Sequence, residues 1–254
     1  MVIAEAGANW DKLVEECVEK GFQGIENLSG IPGTVGASPI QNIGAYGQEL
    51  SETLVSLEAF DIEKEKFVTF SKTDCEFGYR ESIFKKPDHW QKFIICSLKL
   101  KLSKKTTGSA NYESLKKYII SSSPTLKEIR EAVLKVRSEK LENPMLIANA
   151  GSFFKNPIID ALEKIRLEKK FPGVKIFPYD DKFKVSAARL IEQAGWKGKT
   201  YKNAAVSAKH ALILINPEDR ATAEEVYELS EKIINDVYEK FGIKLEREVQ
   251  LINF

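Results

Sequence analysis

The chain has 254 residues, 43% hydrophobic and 30% charged, with a formal net charge of +1. That composition can bury the core of one large domain or two modest ones, and its balanced charge gives no support to a nucleic-acid partner. Cys17, Cys75 and Cys96 are scattered, with no CxxC and no Cys/His cluster. Neither a disulfide framework nor a metal site is therefore expected; a cytoplasmic setting fits, without signal peptide or membrane span.

The opening, MVIAEAGANW, reads as a strand running into a helix cap, without the looser lead usual at a domain start. Residues 9–20 follow as a helix with Trp10, Leu13, Val14, Cys17 and Val18 on one face and Gly21 as its stop. The stretch IPGTVGASPIQNIGAYGQEL, 31–50, then breaks the pattern: it holds four glycines and two prolines, and no charge before Glu49. Glycine lets a ligand or another backbone come close, and a row of bare N–H groups can hold phosphate. No Gly-Lys-Ser/Thr or GxGxxG is present, so a tightly packed buried loop accounts for the spacing equally well.

ETLVSLEAFD and FVTF predict strands, and FIICSLKLKL predicts one with Ile94, Cys96, Leu98, Leu100 and Leu102 on one face. Between them FGYRESIFKK sets Arg80 among aromatics, where a guanidinium can anchor a carboxylate or phosphate, or simply stack on Tyr79 at the surface. Polar loops at 103–111 and 121–124 precede a helix with Thr125 and Glu128 as a capping box and Leu126, Ile129, Val133 and Val136 inward.

ENPMLIANAGSFFKNP reads as a domain junction. Within it, Asn156 and Pro157 read as a helix cap and first helical residue, and Ser152 has no GxSxG elbow and no motif tying it to His89 or His210, which argues against a hydrolase triad. Beyond it, ALILIN reads as a buried strand, and Thr222 and Glu225 cap a long helix with Val226, Leu229, Ile233 and Val237 inward and Gly242 at its end. KLEREVQLINF reads as a last strand, with Leu245, Val249 and Leu251 opposite Glu246, Glu248 and Gln250. Taken singly, Glu248 is a solvated strand residue, His210 a structural one, and Lys140 a helix-end cation.

Taken in order, GANW, GIENLSGIPGTVGASPIQNIGAYG, FGYRESIF, NAGSFFKNP, SAARLIEQAGWKG, AAVSAKHALILIN and LEREV resemble the UDP-N-acetylenolpyruvoylglucosamine reductase (UDP-N-acetylmuramate dehydrogenase) family. The resemblance implies an α+β fold: an FAD-binding domain of the vanillyl-alcohol-oxidase type over 1–140, incomplete at its N-terminus, an α/β substrate-binding domain over 141–242, and a C-terminal strand, 243–254, returning toward the active site. It implies that the family's chain has further residues before GANW, so that this one begins in mid-domain. It implies FAD as cofactor, NADPH as reductant and UDP-N-acetylglucosamine enolpyruvate as substrate, in peptidoglycan synthesis, with no nucleic-acid, membrane or obligate protein partner.

By the same resemblance Pro32, Gly33, Gly36, Ser38, Pro39, Gln41, Asn42, Gly44, Ala45 and Gly47 line the cofactor. Arg80 and Glu248 attend the substrate carboxylate, Ser152 donates the proton, and Tyr79, Tyr112, Lys140, Asn156 and His210 hold the rest of the substrate. The second reading is a non-catalytic relative that keeps only nucleotide-sugar binding, distinguished by flavin uptake and NADPH oxidation. A third, a flavin oxidase of a free sugar, is opposed by GSFFKNP and LEREV.

Overall fold

The apolar runs around Leu57 and Leu98 become the two central strands of an antiparallel sheet. The structure is a computed structural model that describes residues 1–105, 107–108 and 112–252, and the chain divides into two units, Met1–Arg137 and Ser138–Phe254. In the first, β1 (Val2–Glu5) leads to α1 (Trp10–Glu19), then to the short strands β2 (Phe22–Gln23), β3 (Gly44–Ala45) and β4 (Gln48–Glu49). β5 (Leu54–Asp61), β6 (Lys66–Ser71), β7 (Phe93–Leu100) and β8 (Ser103–Lys104) follow, then one turn of helix, α2 (Glu113–Lys116), and the longer α3 (Leu126–Lys140). The sheet order is β1-β7-β5-β6; β2 with β8 and β3 with β4 form separate ribbons.

Local signals account for the helices. Asn9 caps α1, its side chain accepting from Lys12 N at 3.0 Å, and Gly21 ends the element at φ +71°. Trp10, Val14, Cys17 and Val18 are buried on its inner face, and the Trp10 indole donates to Leu28 O at 3.0 Å. Thr125 and Glu128 exchange hydrogen bonds at the start of α3, whose Leu126, Ile129, Val133 and Val136 are buried.

β7 departs from the expected alternation. Glu58 pairs with Ser97 but Ala59 pairs with Ile95, so Cys96 is an extra residue. This bulge shifts the inward set by one position: Ile95 is buried along with Leu98 and Leu100, and Ile94 is 56% exposed.

The second unit contains β9 (Ala148–Ser152), β10 (Ile158–Ile159), α4 (Ala161–Lys170), β11 (Ile176–Tyr179), β12 (Lys182–Val185), α5 (Ala187–Gln193), β13 (Thr200–Tyr201), β14 (Ala204–Val206), β15 (Ile213–Asn216) and α6 (Ala223–Phe241). One sheet runs β13-β14-β15-β9 and another β10-β12-β11. Its core joins Phe153, Phe154, Leu190, Leu214, Leu229, Ile233, Val237 and Phe241. α6 carries the capping box Thr222–Glu225, and Gly242 closes it in the left-handed conformation.

Two expectations need correction here. Asn156 and Pro157 do not open a helix: Pro157 precedes β10, Asp160 caps α4, and the Asn156 side chain instead accepts from Ala187 N, the first residue of α5, at 2.9 Å. The tail over its described residues is not a strand but a single bridge, Phe154 with Arg247, flanked by Lys155 N to Glu246 O and Glu248 N to Phe153 O, both 2.9 Å. Pro157 has no N–H to extend that pairing, and the Phe153 N–H is already given to Leu212 O. Part of the polar loop read at 103–111 (Thr106 and residues 109–111) and the last two residues of the predicted final strand lie outside the described residues. Among the described residues no helix is long and apolar enough to cross a membrane, and no group of three His, Cys, Asp or Glu is arranged to hold a metal ion.

Candidate active site

In the first unit the glycine-rich stretch lies on the chain just before α1. Trp10 N donates to Gly33 O, Val35 N to Ala8 O and Gly36 N to Ala6 O, at 2.9–3.0 Å. The contact is close enough that a Cβ on Gly36 would stand 2.6 Å from that of Ala6. Gly36 is therefore needed for backbone packing, as the loop reading expected. Ser38 and Asn42 are buried and turn their polar atoms on the protein: Ser38 Oγ donates to Val35 O at 2.6 Å, and Asn42 Nδ2 donates to Glu49 Oε2 at 2.8 Å and Gly78 O at 3.1 Å. Pro39 is buried, Gln41, Gly44 and Ala45 are half-buried, and Pro32, Gly33 and Gly47 are exposed. Gly33 and Gly47 have φ of +121° and +79°, and nothing lies within 4 Å of where a Cβ would be.

Arg80 sits in a tight turn closed by the bridge between Gly78 and Glu81. Its guanidinium is 5.2 Å from the Tyr79 ring centroid and donates from Nη2 to Gly44 O at 2.6 Å. The structure thus brings Arg80 and Tyr79 to the predicted cofactor lining. Tyr112 packs edge-on to Tyr46 with ring centroids 5.5 Å apart, and both rings line a cleft of about 320 Å³ with Gln23, Glu26, Asn27, Gly47, Gln48 and Glu52.

In the second unit the end of β9 and the tail bring Ser152 and Glu248 to neighbouring positions. Ser152 pairs with Ile213, Phe153 N donates to Leu212 O at 2.8 Å, and Phe153 O accepts from Glu248 N. The two Phe rings beside Ser152 are buried core residues, which is why an apolar pair stands in this turn. Lys155 is buried and donates to Glu246 Oε1 at 2.5 Å, while Arg247 donates from Nε to Ser230 Oγ at 2.8 Å and ties the tail to α6. Glu246 and Arg247 therefore place Glu248.

Lys140 ends α3 and is exposed, and its charge acts on His210. Burial first, then the Lys140 and Lys197 charges, lower the His210 pKa, so the ring is neutral at pH 7. Nδ1 accepts from Leu212 N at 3.3 Å, which leaves the proton on Nε2. Asn156, whose Oδ1 accepts from the α5 N-terminus, is half-buried.

Three features escape sequence reasoning. Arg137, one turn before Lys140, is hydrogen-bonded to Tyr46, and burial lowers its pKa. Its spacing of three from Lys140 on one helix was the available signal. Asp11 pairs with Arg130 at 2.5 and 3.0 Å across 119 positions and also accepts Gly30 N at 2.6 Å, with no local sign. Glu142 splits its carboxylate between Ser207 Oγ at 2.7 Å and Lys209 Nζ at 3.1 Å, fixing the turn that carries His210.

Comparison with known proteins identifies the family of both units. Residues 1–71 match an FAD binding domain, and residues 141–252 match the C-terminal domain of UDP-N-acetylenolpyruvoylglucosamine reductase. The chain is 45% identical to the UDP-N-acetylenolpyruvoylglucosamine reductase of Amoebophilus asiaticus, over 97% of this chain and 74% of the relative. It is 43% identical to that of Flavobacterium johnsoniae, over 99% and 75%. The crystal structure of the Thermus caldophilus reductase superposes with a TM-score of 0.65 at 26% identity, covering 98% of this chain and 71% of that one.

The first unit suits such a cofactor. From Ile31 to Gln48 no side chain is charged, and Gly33 and Gly47 leave bare backbone open to a flat ring or a diphosphate. The chain belongs to the UDP-N-acetylenolpyruvoylglucosamine reductase family, whose members are FAD-dependent oxidoreductases.

Proposed function

We propose that this chain reduces UDP-N-acetylglucosamine enolpyruvate to UDP-N-acetylmuramate in peptidoglycan synthesis, with NADPH as the source of electrons. The observation that carries the reading is Arg80, a guanidinium held on the carbonyl of Gly44 inside the stretch that suits the cofactor. Three free cysteines agree with a reducing, cytoplasmic setting.

FAD, when bound, supplies hydride to the vinyl terminus of the enolpyruvyl group. Negative charge then builds on the substrate carboxylate, and a fixed cation there stabilises the transition state. Arg80 is that cation. Glu248, protonated or hydrogen-bonded, supports the same carboxylate, a role supported by the bridge that holds its backbone beside Phe153 and Ser152. Ser152 Oγ delivers a proton to the carbon bearing the carboxylate, completing addition across the double bond. Lys140 offers a charge to the diphosphate, and neutral His210 offers Nε2–H beside it. Tyr79, Tyr112 and Asn156 complete the substrate side, and Pro32, Gly33, Gly36, Pro39, Gln41, Gly44, Ala45 and Gly47 line the cofactor, with Ser38 and Asn42 holding that lining in shape.

The test is an FAD titration followed by visible absorption, then NADPH oxidation with and without the enolpyruvyl substrate. Uptake of FAD and substrate-dependent oxidation are expected. A chain that binds the nucleotide sugar but takes up no flavin is a binding protein, and the enzyme reading fails.

A further inference from the structure

The glycine-rich stretch and the arginine turn are distant in sequence, yet three side chains tie one to the other. Ser82 Oγ donates to Ile40 O at 2.6 Å, Asn42 Nδ2 to Gly78 O at 3.1 Å, and Arg80 Nη2 to Gly44 O at 2.6 Å. Each bond ends on a backbone carbonyl, so each fixes the path of the chain. Asn42 stands at the centre and is 1% exposed. Its Oδ1 accepts from Ser51 N at 3.0 Å, which sets the orientation of the amide, and its Nδ2 serves Glu49 as well as Gly78. Both amide hydrogens are used within the protein, so neither is left for a ligand.

Glu49 is the second element of the device. Asn42 holds its Oε2, and its Oε1 lies 3.9 Å from Arg80 Nη1. The capping box with Glu52 fixes the backbone beneath it. Gly44 leaves the room: a Cβ there would stand 2.7 Å from Arg80 Nη1. Arg80 itself sits at φ +56°, a conformation that a non-glycine residue keeps only when its surroundings impose it.

We propose that Asn42 and Glu49 are positioning residues for Arg80. They aim its guanidinium and so act on the step in which it meets the substrate carboxylate. This rests on the role given to Arg80 above. Misplacing a catalytic group by about 1 Å costs on the order of a hundredfold in rate, so the aim of the guanidinium matters as much as its charge.

The experiment compares two half-reactions by stopped flow: reduction of the bound flavin by NADPH, and its reoxidation by the enolpyruvyl substrate. Glu49→Gln keeps an acceptor for Asn42 and removes the charge beside Arg80; Asn42→Asp keeps the shape and removes both donors. In each variant, reoxidation is expected to fall about tenfold or more beyond any fall in reduction. Affinity for UDP-N-acetylmuramate, titrated by calorimetry, is expected to fall with it. In an Arg80→Ala background neither change lowers reoxidation further.

A merely structural role gives a different result: lower flavin content, equal losses in both half-reactions, and the same additional loss in the Arg80→Ala background. That result overturns the proposal. If Arg80→Ala alone reoxidises at the wild-type rate, the role of Arg80 has failed first, and that variant by itself shows it.

Discussion

Ser152 ends β9, where two other segments meet it. GSFFKNP marks the serine, but its partners come from distant segments: Ile213 opposite it and Glu248 bonded to the residue beside it. Ser152→Ala is expected to slow substrate-dependent flavin reoxidation by about 10²–10⁴-fold while NADPH still reduces the flavin at nearly the original rate, as removal of a proton donor requires. Equal slowing in the two half-reactions would reject the serine as donor. Asp11 is the opposite case, invisible in sequence because its partner Arg130 lies 119 positions away. Burial raises the Asp11 pKa, but the Arg130 and Gly30 hydrogen bonds outweigh it and the net shift is downward. A lowered native pKa stabilises the fold at pH above the unfolded value, near 3.9, and that gain is lost as pH falls through the native value. Asp11→Asn is expected to cost about 2 kcal/mol at pH 7, less than a fully buried pair because Asp11 is partly exposed. Urea unfolding should show the deficit at pH 7 and show it shrinking below about pH 4; a deficit independent of pH would mean that packing, not charge, carries the effect.

At the scale of elements, what is encoded locally is what sequence reveals. α1, α3 and α6 begin at Asn9, Thr125 and Thr222 and bury the predicted stripes, because caps and helical periodicity act within a few residues. The Cys96 bulge and the tail could not be read this way. A bulge is a mismatch between two strands, and nothing in FIICSLKLKL alone tells which residue the neighbouring β5 will skip. The tail alternates like a strand, but the missing Pro157 N–H and the Phe153 N–H given to Leu212 O limit its described pairing to a bridge. The α6 cap gives a direct measure of a local signal. In the capping box Glu225 N donates to Thr222 Oγ1 at 3.2 Å and Thr222 N donates to the Glu225 side chain. Thr222→Ala is expected to cost about 1 kcal/mol in thermal unfolding followed by circular dichroism, and Thr222→Ser to restore most of it. Equal loss in the alanine and serine variants would point to the threonine methyl rather than the cap.

Across the whole molecule, the two units have separate cores: the cluster built on Trp10, Leu57 and Leu98 lies in the first, and the cluster built on Phe154, Leu214 and Ile233 in the second. A ligand that binds the native state stabilises whatever must be folded to hold it, by about 2.7 kcal/mol at a hundred times its dissociation constant. FAD bound along the glycine-rich stretch should therefore slow amide exchange first at 33–47. The ties from Ser82, Asn42 and Arg80 make the arginine turn part of the same cooperative patch, so 78–82 should gain protection in step with it. Exchange in α6 around Ile233, whose side chain packs in the other core, is expected to change little. Hydrogen exchange read by mass spectrometry with and without FAD checks all three segments at once. Protection at 33–47 without 78–82 would mean that the cofactor stretch opens independently of the arginine turn, and that cofactor binding does not help to aim Arg80.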